Sequence, residues 1–371
     1  MQLFVIDDIC CPNLINSVTC GGQLELEESK NFPRYLAHDQ GELLEGRLIC
    51  KQCNETFPVI GGLPILVVQP WLYLRDNYET ILTITTEAGM PISQPMVSMM
   101  RDRGVDTAPM RKGGNKYDLR ETLSVYLCQH YDTVWEILPA NHPILKILHD
   151  HCPKDFYSMA IDLLAPFLDS GQEVLDIGCG VGRSVYEFSL RAKLVYGIEY
   201  SYASAFLARR ILRHSPSRLE SYKIQLDGDI YSRRALPNRG RDNVEIIVAS
   251  GDNLPFPTGV FDITSSWNVI DRVPSPEKII TEQERTLKLH GIISVADPYS
   301  WDTSYTSRHE WLGGQNNQRS IGALSDRMKK TSDILQEEDY IPWLSWKYER
   351  NFSLFYCHAL IGRKRATATS A

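Results

Sequence analysis

The fold of this chain is decided by residues 173–183, which read EVLDIGCGVGR. An apolar run ends in Asp176, three glycines follow at alternate positions (Gly178, Gly180 and Gly182), and a helical pattern begins directly afterwards. A strand that passes through a glycine-rich turn into a helix lets the backbone approach an extended ligand, and the helix directs N–H groups at the ligand's anionic end. The stretch therefore predicts the first unit of a nucleotide-like cofactor site in an α/β fold.

Two further apolar runs lead into acidic residues. Residues 194–199, LVYGIE, place Glu199 23 positions after Asp176, where a carboxylate is suited to accept both hydroxyls of a ribose. A third run leads into Asp252 and Asn253, and the Asp252 carboxylate is able to accept a hydrogen bond from an adenine amino group. The competing interpretation is that these single carboxylates only cap helices.

Taken together, these motifs resemble the class I S-adenosylmethionine-dependent methyltransferases over roughly the second half of the chain. The resemblance implies a Rossmann-like α/β sheet and S-adenosylmethionine as cofactor. It also implies that Asp176, Gly178 and Gly180 bind the methionine end of the cofactor, that Glu199 holds the ribose, and that Asp252 with Asn253 frames the adenine.

Composition narrows the class of protein. The chain has 371 residues, 43% of them hydrophobic, which is enough for a sizeable core, and a formal net charge of −7. An acidic balance disfavours nucleic acid as the main substrate. The start lacks a basic leader and no apolar run approaches 18 residues, so we expect no export signal and no membrane partner. Nine cysteines without an export signal indicate a reducing, cytoplasmic setting.

Five of the nine cysteines lie within the first 53 residues. Cys50 and Cys53 have the spacing of a metal knuckle, and Cys11 with Cys20 form a second, wider pair that can converge on the first around a structural Zn²⁺. Cys10 is a rival to Cys11 as a ligand. Four thiolates leave no open coordination position, so a catalytic metal is not expected.

The segment FPVIGGLPIL at residues 57–66 follows the second cysteine pair. Residues 1–68 resemble the small Trm112-like zinc-ribbon family, in which a cysteine pair precedes such a run. A module of this size has little core of its own, and metal binding then contributes directly to its folding. We therefore expect chelation to unfold the ribbon while cofactor binding remains intact.

Three parts are predicted along the chain. Residues 1–68 form the ribbon, residues 69–160 a linker and helical cap, and residues 161–371 the methyltransferase domain. In class I methyltransferases the segment before the first strand often covers the substrate.

Side chains beyond the cofactor loop are expected to face the methyl acceptor. Residues 268–273 read NVIDRV after a predicted strand at 263–267, and residues 297–301 read DPYSW after another at 292–296. The carboxyl ends of strands in an open α/β sheet line the ligand crevice. These stretches, with WLGG at 311–314, resemble the methyltransferase of ovothiol biosynthesis, which methylates an imidazole nitrogen of mercaptohistidine.

The resemblance implies an N-methyltransferase acting on a histidine-derived small molecule or its selenium analogue. A neutral imidazole nitrogen attacks the methyl group without a strong base, so catalysis is mostly positioning. We expect the catalytic side chains to be Asp271, His130 and Tyr299, and those that bind substrate to be Asn268, Arg272, Trp301 and Tyr131, with Asn268 also near the cofactor. Three of these residues have a simpler interpretation: Asp271 as a cap, Arg272 as a surface ion-pair partner and His130 as a packing residue.

Other functions remain open at this point. Ribosomal-RNA guanine methyltransferases also place a zinc ribbon before a class I domain, and another small-molecule acceptor is compatible with the same motifs. Trm112-like domains elsewhere serve as activating subunits, so the ribbon would then steady the catalytic domain. A homo-oligomer is neither required nor excluded.

Overall fold

The computed structural model describes residues 1–27, 35–36, 41–105, 120–132, 137–152, 154–213 and 219–366. The strands, numbered in chain order, are β1 Leu14–Ile15, β2 Val18–Thr19, β3 Leu24–Leu26, β4 Tyr35–Leu36, β5 Leu43–Cys50, β6 Thr56–Ile60, β7 Leu63–Leu66, β8 Glu173–Ile177, β9 Leu194–Glu199, β10 Ser221–Asp227, β11 Ile230–Ala235, β12 Val244–Ala249, β13 Phe261–Trp267, β14 Leu287–Asp297, β15 Ser332–Tyr348 and β16 Asn351–Lys364.

The helices, numbered in the same way, are α1 Val5–Asp8, α2 Pro70–Glu87, α3 Gln94–Asp102, α4 Arg120–Tyr131, α5 Pro143–His151, α6 Phe156–Leu164, α7 Arg183–Ser189, α8 Tyr202–Leu212, α9 Pro276–Thr286 and α10 Ser320–Met328. Within the described part of the chain, no helix combines the length and apolar character that crossing a bilayer requires. The predicted strands and the helix after the glycine turn are confirmed, whereas part of the predicted cap, residues 106–119, 133–136 and 153, lies outside the described residues.

A single twelve-stranded sheet organises the molecule, with the path β15-β16-β14-β13-β8-β9-β12-β7-β6-β5-β3 and with β4 paired to β5. Its centre, from β12 to β14, is parallel, β16 pairs antiparallel with β14, and β15 pairs antiparallel with β16. The central strands are apolar and buried, as parallel strands covered on both faces must be. The Rossmann-like α/β fold is confirmed, and the carboxyl ends of β8, β9, β12 and β13 meet at one edge.

The amino-terminal segment extends this sheet. Strand β7 runs parallel to β12, with Ile65 opposite Val248 and Leu66 opposite Ala249, and β6, β5 and β3 continue the sheet in antiparallel pairs. Backbone hydrogen bonds therefore pass from the amino-terminal strands into the strand that precedes Asp252.

Buried polar contacts reinforce the junction between the two parts. The Arg209 guanidinium on α8 is 1% exposed, donates to the Gly62 carbonyl at 3.1 Å and pairs with Glu42. The Gln2 amide donates to the Glu245 carboxylate at 3.0 Å. A buried charge that loses its partner destabilises a fold strongly. Loss of either partner in these contacts would therefore destabilise the junction between the amino-terminal segment and the central sheet.

Candidate functional site

A cavity of about 560 Å³ opens at the carboxyl edge of the sheet. One half is lined by the glycine turn and by the ends of β9 and β12, and the other by α4, α6 and the residues after β13. A larger cavity of about 760 Å³ lies between α4 and the β10–β11 hairpin, away from the strand ends. The smaller cavity is the candidate site because strand ends, glycine turn and polar side chains converge there.

Two glycines of the turn that line the cavity have backbone conformations and surroundings unfavourable to a side chain. Gly178 has φ +72°, and a Cβ there would lie 2.5 Å from the Val269 side chain. Gly180 has φ +55°, and a Cβ there would lie 3.3 Å from the His130 ring. Both glycines line the cavity, as predicted, and they bring the backbone close to any ligand it holds.

Glu199 is held in place by the glycine turn and by the start of α8. One carboxylate oxygen accepts from the Gly180 amide at 2.9 Å and the other from the Ser201 amide at 2.8 Å. A carboxylate held in this way at the edge of the cavity is suited to a ligand that carries hydroxyl groups. Asp252 lines the same half of the cavity and accepts from the Ser250 hydroxyl at 2.5 Å.

Asp176 does not contact the cavity, which corrects its expected role at the methionine end of the cofactor. The side chain is buried beneath the turn, where the Ser184 and Ser265 hydroxyls donate to its two oxygens at 2.5 and 2.6 Å. Burial raises the pKa of Asp176 to about 6, against the effect of those two donors. Its carboxylate therefore fastens strand β8 to the start of α7 and to β13.

Asn253 also differs from the expectation. Its amide nitrogen donates to the Pro12 carbonyl at 2.5 Å and its oxygen accepts from the Thr19 hydroxyl at 2.7 Å. These contacts turn the side chain away from the adenine position and toward the amino-terminal segment. Asp252 alone of the pair lines the cavity.

The other half of the cavity is rich in aromatic side chains. Its wall contains Tyr126, Tyr157, Tyr305 and Trp343, together with three polar residues that the sequence singled out, namely His130, Asn268 and Arg272. A chamber of this kind suits a small planar acceptor beside a cationic centre.

His130 and Tyr157 form a hydrogen-bonded pair in this wall. The Tyr157 hydroxyl lies 2.7 Å from His130 Nε2, and both side chains are buried. Burial, aided by the nearby Arg183 charge, lowers the pKa of His130 to about 3, and burial raises the pKa of Tyr157. Both groups are therefore neutral at physiological pH, and His130 is a hydrogen-bonding group and a poor base.

Asn268 and Arg272 border the same chamber. Asn268 adopts φ +59°, an uncommon conformation for a residue other than glycine, and its side-chain oxygen accepts from the Cys357 thiol at 3.1 Å. The Arg272 guanidinium donates to the Ser300 carbonyl and hydroxyl and lies 5.6 Å from the Tyr305 ring. These contacts hold Arg272 against the loop after β14 while its side chain still lines the cavity.

Asp271 and Tyr299 are placed elsewhere, contrary to their expected catalytic roles. The Asp271 carboxylate accepts from the Ser300 amide at 2.7 Å, in the loop after β14. The Tyr299 hydroxyl lies 2.7 Å from His358 Nδ1 on β16. Neither side chain lines the cavity.

Trp301 and Tyr131, expected to bind substrate, also have structural partners. Trp301 stacks on Trp311 with ring centroids 5.8 Å apart and donates to the Ser320 hydroxyl at 2.9 Å. The Tyr131 hydroxyl donates to the Val181 carbonyl at 2.9 Å and joins α4 to the glycine turn. Both side chains stabilise the walls from outside the cavity.

Three of the aromatic wall residues were missed from the sequence. Tyr126 precedes His130 by four positions on a predicted helix, so the shared helix face was a usable signal. Tyr157 and Tyr305 carried no such signal, because they reach the chamber from a separate helix and from a loop.

The cysteine cluster is assembled as the spacing predicted. The sulfur atoms of Cys11, Cys20, Cys50 and Cys53 all lie within 4.8 Å of one another. The open choice between Cys10 and Cys11 is settled by geometry, since the Cys11 sulfur lies 3.6 Å from that of Cys53 and Cys10 is not in the cluster. Four converging thiols of this kind fit a tetrahedral metal ion.

Comparison with known proteins gives a methyltransferase match. Residues 175–295, about a third of the chain, match the family described as "Methyltransferase domain". A ubiquinone biosynthesis O-methyltransferase of Pasteurella multocida is 26% identical over 125 residues, which is 33% of this chain and 45% of that protein. The chain thus spans about half the length of this curated relative.

Solved structures overlap the chain in part. A candidate methyltransferase from Bacillus halodurans is 13% identical, covers 57% of this chain and 99% of its own, and has a TM-score of 0.40. An S-adenosylmethionine-dependent methyltransferase from Methanosarcina mazei is 18% identical, covers 55% and 97%, and has a TM-score of 0.38.

The family match and the strand order agree with each other. The matched residues contain the glycine turn, Glu199, Asp252 and the strands from β8 to β14. Residues 175–295 therefore match a methyltransferase domain, and this match supports an S-adenosylmethionine-dependent methyltransferase.

Proposed function

We propose that this protein is an N-methyltransferase that transfers the methyl group of S-adenosylmethionine to the imidazole of a histidine-derived small molecule, such as mercaptohistidine or its selenium analogue. The observation that carries the proposal is one continuous cavity, which joins Glu199 and Asp252 to a chamber lined by His130, Tyr157 and other aromatic residues. The resemblance of residues 268–273 and 297–301 to the ovothiol methyltransferase suggests the imidazole acceptor.

The cofactor end would be held by residues already preorganised for it. Glu199 is fixed by two backbone amides and faces the cavity, and Gly178 with Gly180 leaves room for the ligand above the turn. The cofactor supplies an electrophilic methyl group next to a positively charged sulfur. The aromatic faces of the chamber favour such a cation.

The acceptor end needs no strong base. A neutral imidazole has a lone pair, so the protein's task is to hold the ring at near-attack distance and in the correct tautomer. Because His130 and Tyr157 are both neutral, each is able to donate or to accept a hydrogen bond. A hydrogen bond from this pair to the substrate's imidazole would then select one tautomer of that imidazole. The proton released after transfer would leave to solvent, since a pKa of about 3 makes His130 unable to retain it.

The amino-terminal segment has a structural role in this proposal. Residues 1–68 would form a Trm112-like ribbon around one Zn²⁺ held by Cys11, Cys20, Cys50 and Cys53, with residues 69–160 as linker and cap and residues 161–371 as catalytic domain. The mutual 4.8 Å limit on the four sulfur atoms supports a site closed to substrate. Because β7 pairs with β12, the ribbon would act as a built-in support for the cofactor site.

A panel of acceptors tests the proposal directly. The full-length protein would be incubated with methyl-labelled S-adenosylmethionine and histidine, mercaptohistidine, selenohistidine or ribosomal RNA. We expect label on the thiol- or selenol-substituted imidazole, located on a ring nitrogen by mass spectrometry and NMR. Methylation of RNA guanine without any imidazole product would refute the imidazole acceptor and favour the ribosomal-RNA alternative.

A further inference from the structure

Asn268 carries an unusual combination of features for a cavity-lining residue. It follows the last residue of β13 with φ +59°, in a region that costs free energy for a residue with a side chain. Its amide oxygen accepts from Cys357, whereas its amide nitrogen Nδ2 is buried and has no hydrogen-bond partner within the described part of the chain. A buried donor without a partner points to a ligand that supplies one.

Cys357 decides which way this amide is turned. Its side chain is fully buried on β16, and its sulfur lies 3.1 Å from Asn268 Oδ1. Burial raises the pKa of the Cys357 thiol, and the nearby Asp297 and Asp271 carboxylates raise it further, so the sulfur keeps its proton. A thiol S–H donates to an amide oxygen and cannot satisfy an amide N–H equally well, because sulfur is a weak acceptor.

The neighbours of Asn268 in the wall are also donors. The Arg272 guanidinium has no acceptor atoms and lines the same side of the chamber. Asn268 follows β13, and β8 separates that strand from β9, which carries Glu199, a lateral distance of about 10 Å at ordinary strand spacing. The ligand group that meets Asn268 Nδ2 must therefore offer lone pairs, and it lies toward the acceptor half.

We infer that Cys357 is a positioning residue of this site: its thiol orients the Asn268 amide so that the NH₂ group meets a carboxylate or thiolate of the methyl-receiving molecule. The inference rests on the proposed function, and it adds that the acceptor is recognised through an anionic group as well as through its ring. A mercaptohistidine offers both groups, and acceptors lacking one or the other distinguish them.

Paired substitutions separate this role from simple packing. Cys357→Ser retains a donor to Oδ1, and we expect its kcat/KM for the acceptor to stay near the wild-type value. Cys357→Ala lets the amide rotate, and we expect kcat/KM to fall about fivefold, mainly through KM. Cys152→Ala, a half-buried cysteine outside the chamber, is the matched control. Equal effects of Ser and Ala, or a parallel loss of S-adenosylhomocysteine affinity by calorimetry, would overturn the inference.

A second variant, Asn268→Asp, tests the inference even if the Cys357→Ala protein does not fold. Asn268→Asp replaces the NH₂ group by an oxygen of nearly the same size, and we expect kcat/KM for the acceptor to fall about 100-fold with S-adenosylhomocysteine affinity retained. Retained turnover in this variant would sink the inference. An acceptor without the recognised anionic group should be insensitive to Asn268→Asp, which shows whether the carboxylate or the thiolate is bound.

One measurement needs no acceptor at all. The infrared S–H stretch of Cys357 is isolated by subtracting the Cys357→Ser spectrum from that of the wild type. A donating S–H absorbs at lower frequency, so Asn268→Leu should shift the band upward, and an unshifted band would contradict the contact. If the wild-type protein methylated none of the imidazoles, the proposed function would be refuted. The infrared measurement would still test the contact between Cys357 and Asn268.

Discussion

The two ends of the cavity are built in different ways. The proposed cofactor end comes mainly from local strand–turn units that contain Gly178, Gly180, Glu199 and Asp252. The proposed acceptor end is assembled from α4, α6, a loop and the long carboxyl-terminal hairpin. A site formed by backbone turns is encoded in short stretches of the sequence. A chamber lined by side chains depends instead on how elements that are far apart in the sequence pack together.

The largest expected effect concerns support for the cofactor end from the amino-terminal segment. Cys50→Ser removes one of four thiols, and structural zinc contributes on the order of 10 kcal/mol in small zinc modules. Because Asn253 binds Pro12 and Thr19 beside Asp252, S-adenosylhomocysteine affinity should fall together with bound zinc. Metal analysis and calorimetry measure both quantities.

Cys10→Ser is the control for that experiment, since Cys10 is buried beside the cluster without belonging to it. It should retain the metal. The expected loss of S-adenosylhomocysteine affinity together with zinc differs from the expectation, drawn from the sequence, that chelation leaves cofactor binding intact. Full cofactor affinity in metal-free protein would support the expectation drawn from the sequence.

The next effect isolates the cofactor end. Glu199→Ala should weaken S-adenosylhomocysteine binding by about 1–3 kcal/mol, because ribose hydroxyls and two backbone amides lose their acceptor. Titration calorimetry gives the value, with Glu220→Ala, an exposed glutamate at the start of the β10–β11 hairpin, as control. Unchanged affinity would remove Glu199 from the site.

A pH experiment probes the acceptor end. The pKa of His130 is lowered from 6.5 to about 3, so its contribution to the free energy of unfolding is complete above pH 6.5 and is lost as pH falls toward 3. Between pH 7 and pH 5 the wild type should lose about 2 kcal/mol relative to His130→Gln. Urea denaturation of the two proteins at each pH measures the difference, and parallel pH profiles would show that His130 is not buried as a neutral group.

The smallest expected effect concerns the Tyr157 hydroxyl. Tyr157→Phe removes the hydrogen bond to His130, worth about 1 kcal/mol, and kcat/KM for the acceptor should fall about fivefold while cofactor affinity is kept. Steady-state kinetics with the accepted imidazole measures it. Tyr131→Phe, whose hydroxyl binds Val181 outside the cavity, should leave the acceptor KM unchanged. A weakened acceptor interaction in Tyr131→Phe, together with unchanged kinetics in Tyr157→Phe, would show that the assignment of the chamber wall is wrong.

Three side chains that the sequence assigned to the acceptor have structural partners outside the cavity wall. Asp271, Tyr299 and Trp301 were assigned to the acceptor because they follow strand ends, and their side chains instead bind Ser300, His358 and Ser320. Position after a strand specifies the edge of the sheet and leaves the direction of the side chain open. Where a loop must fold back over the edge, buried amides and hydroxyls compete for the same polar groups.

The sequence by itself determined the Rossmann-like sheet, the glycine turn, the carboxylate after β9 and the cysteine cluster apart from the choice between Cys10 and Cys11. Each of these is encoded within a short stretch whose apolar pattern, glycine spacing or cysteine spacing has a local physical meaning. Only the tertiary structure decided that Asp176 is buried against Ser184, that Asn253 faces the amino-terminal segment, that Tyr157 contacts His130 and that Cys357 contacts Asn268. Apart from the Ser184–Asp176 contact, which spans 8 positions, these contacts join residues 27 to 241 positions apart, and packing rather than local sequence brings such residues within hydrogen-bonding distance.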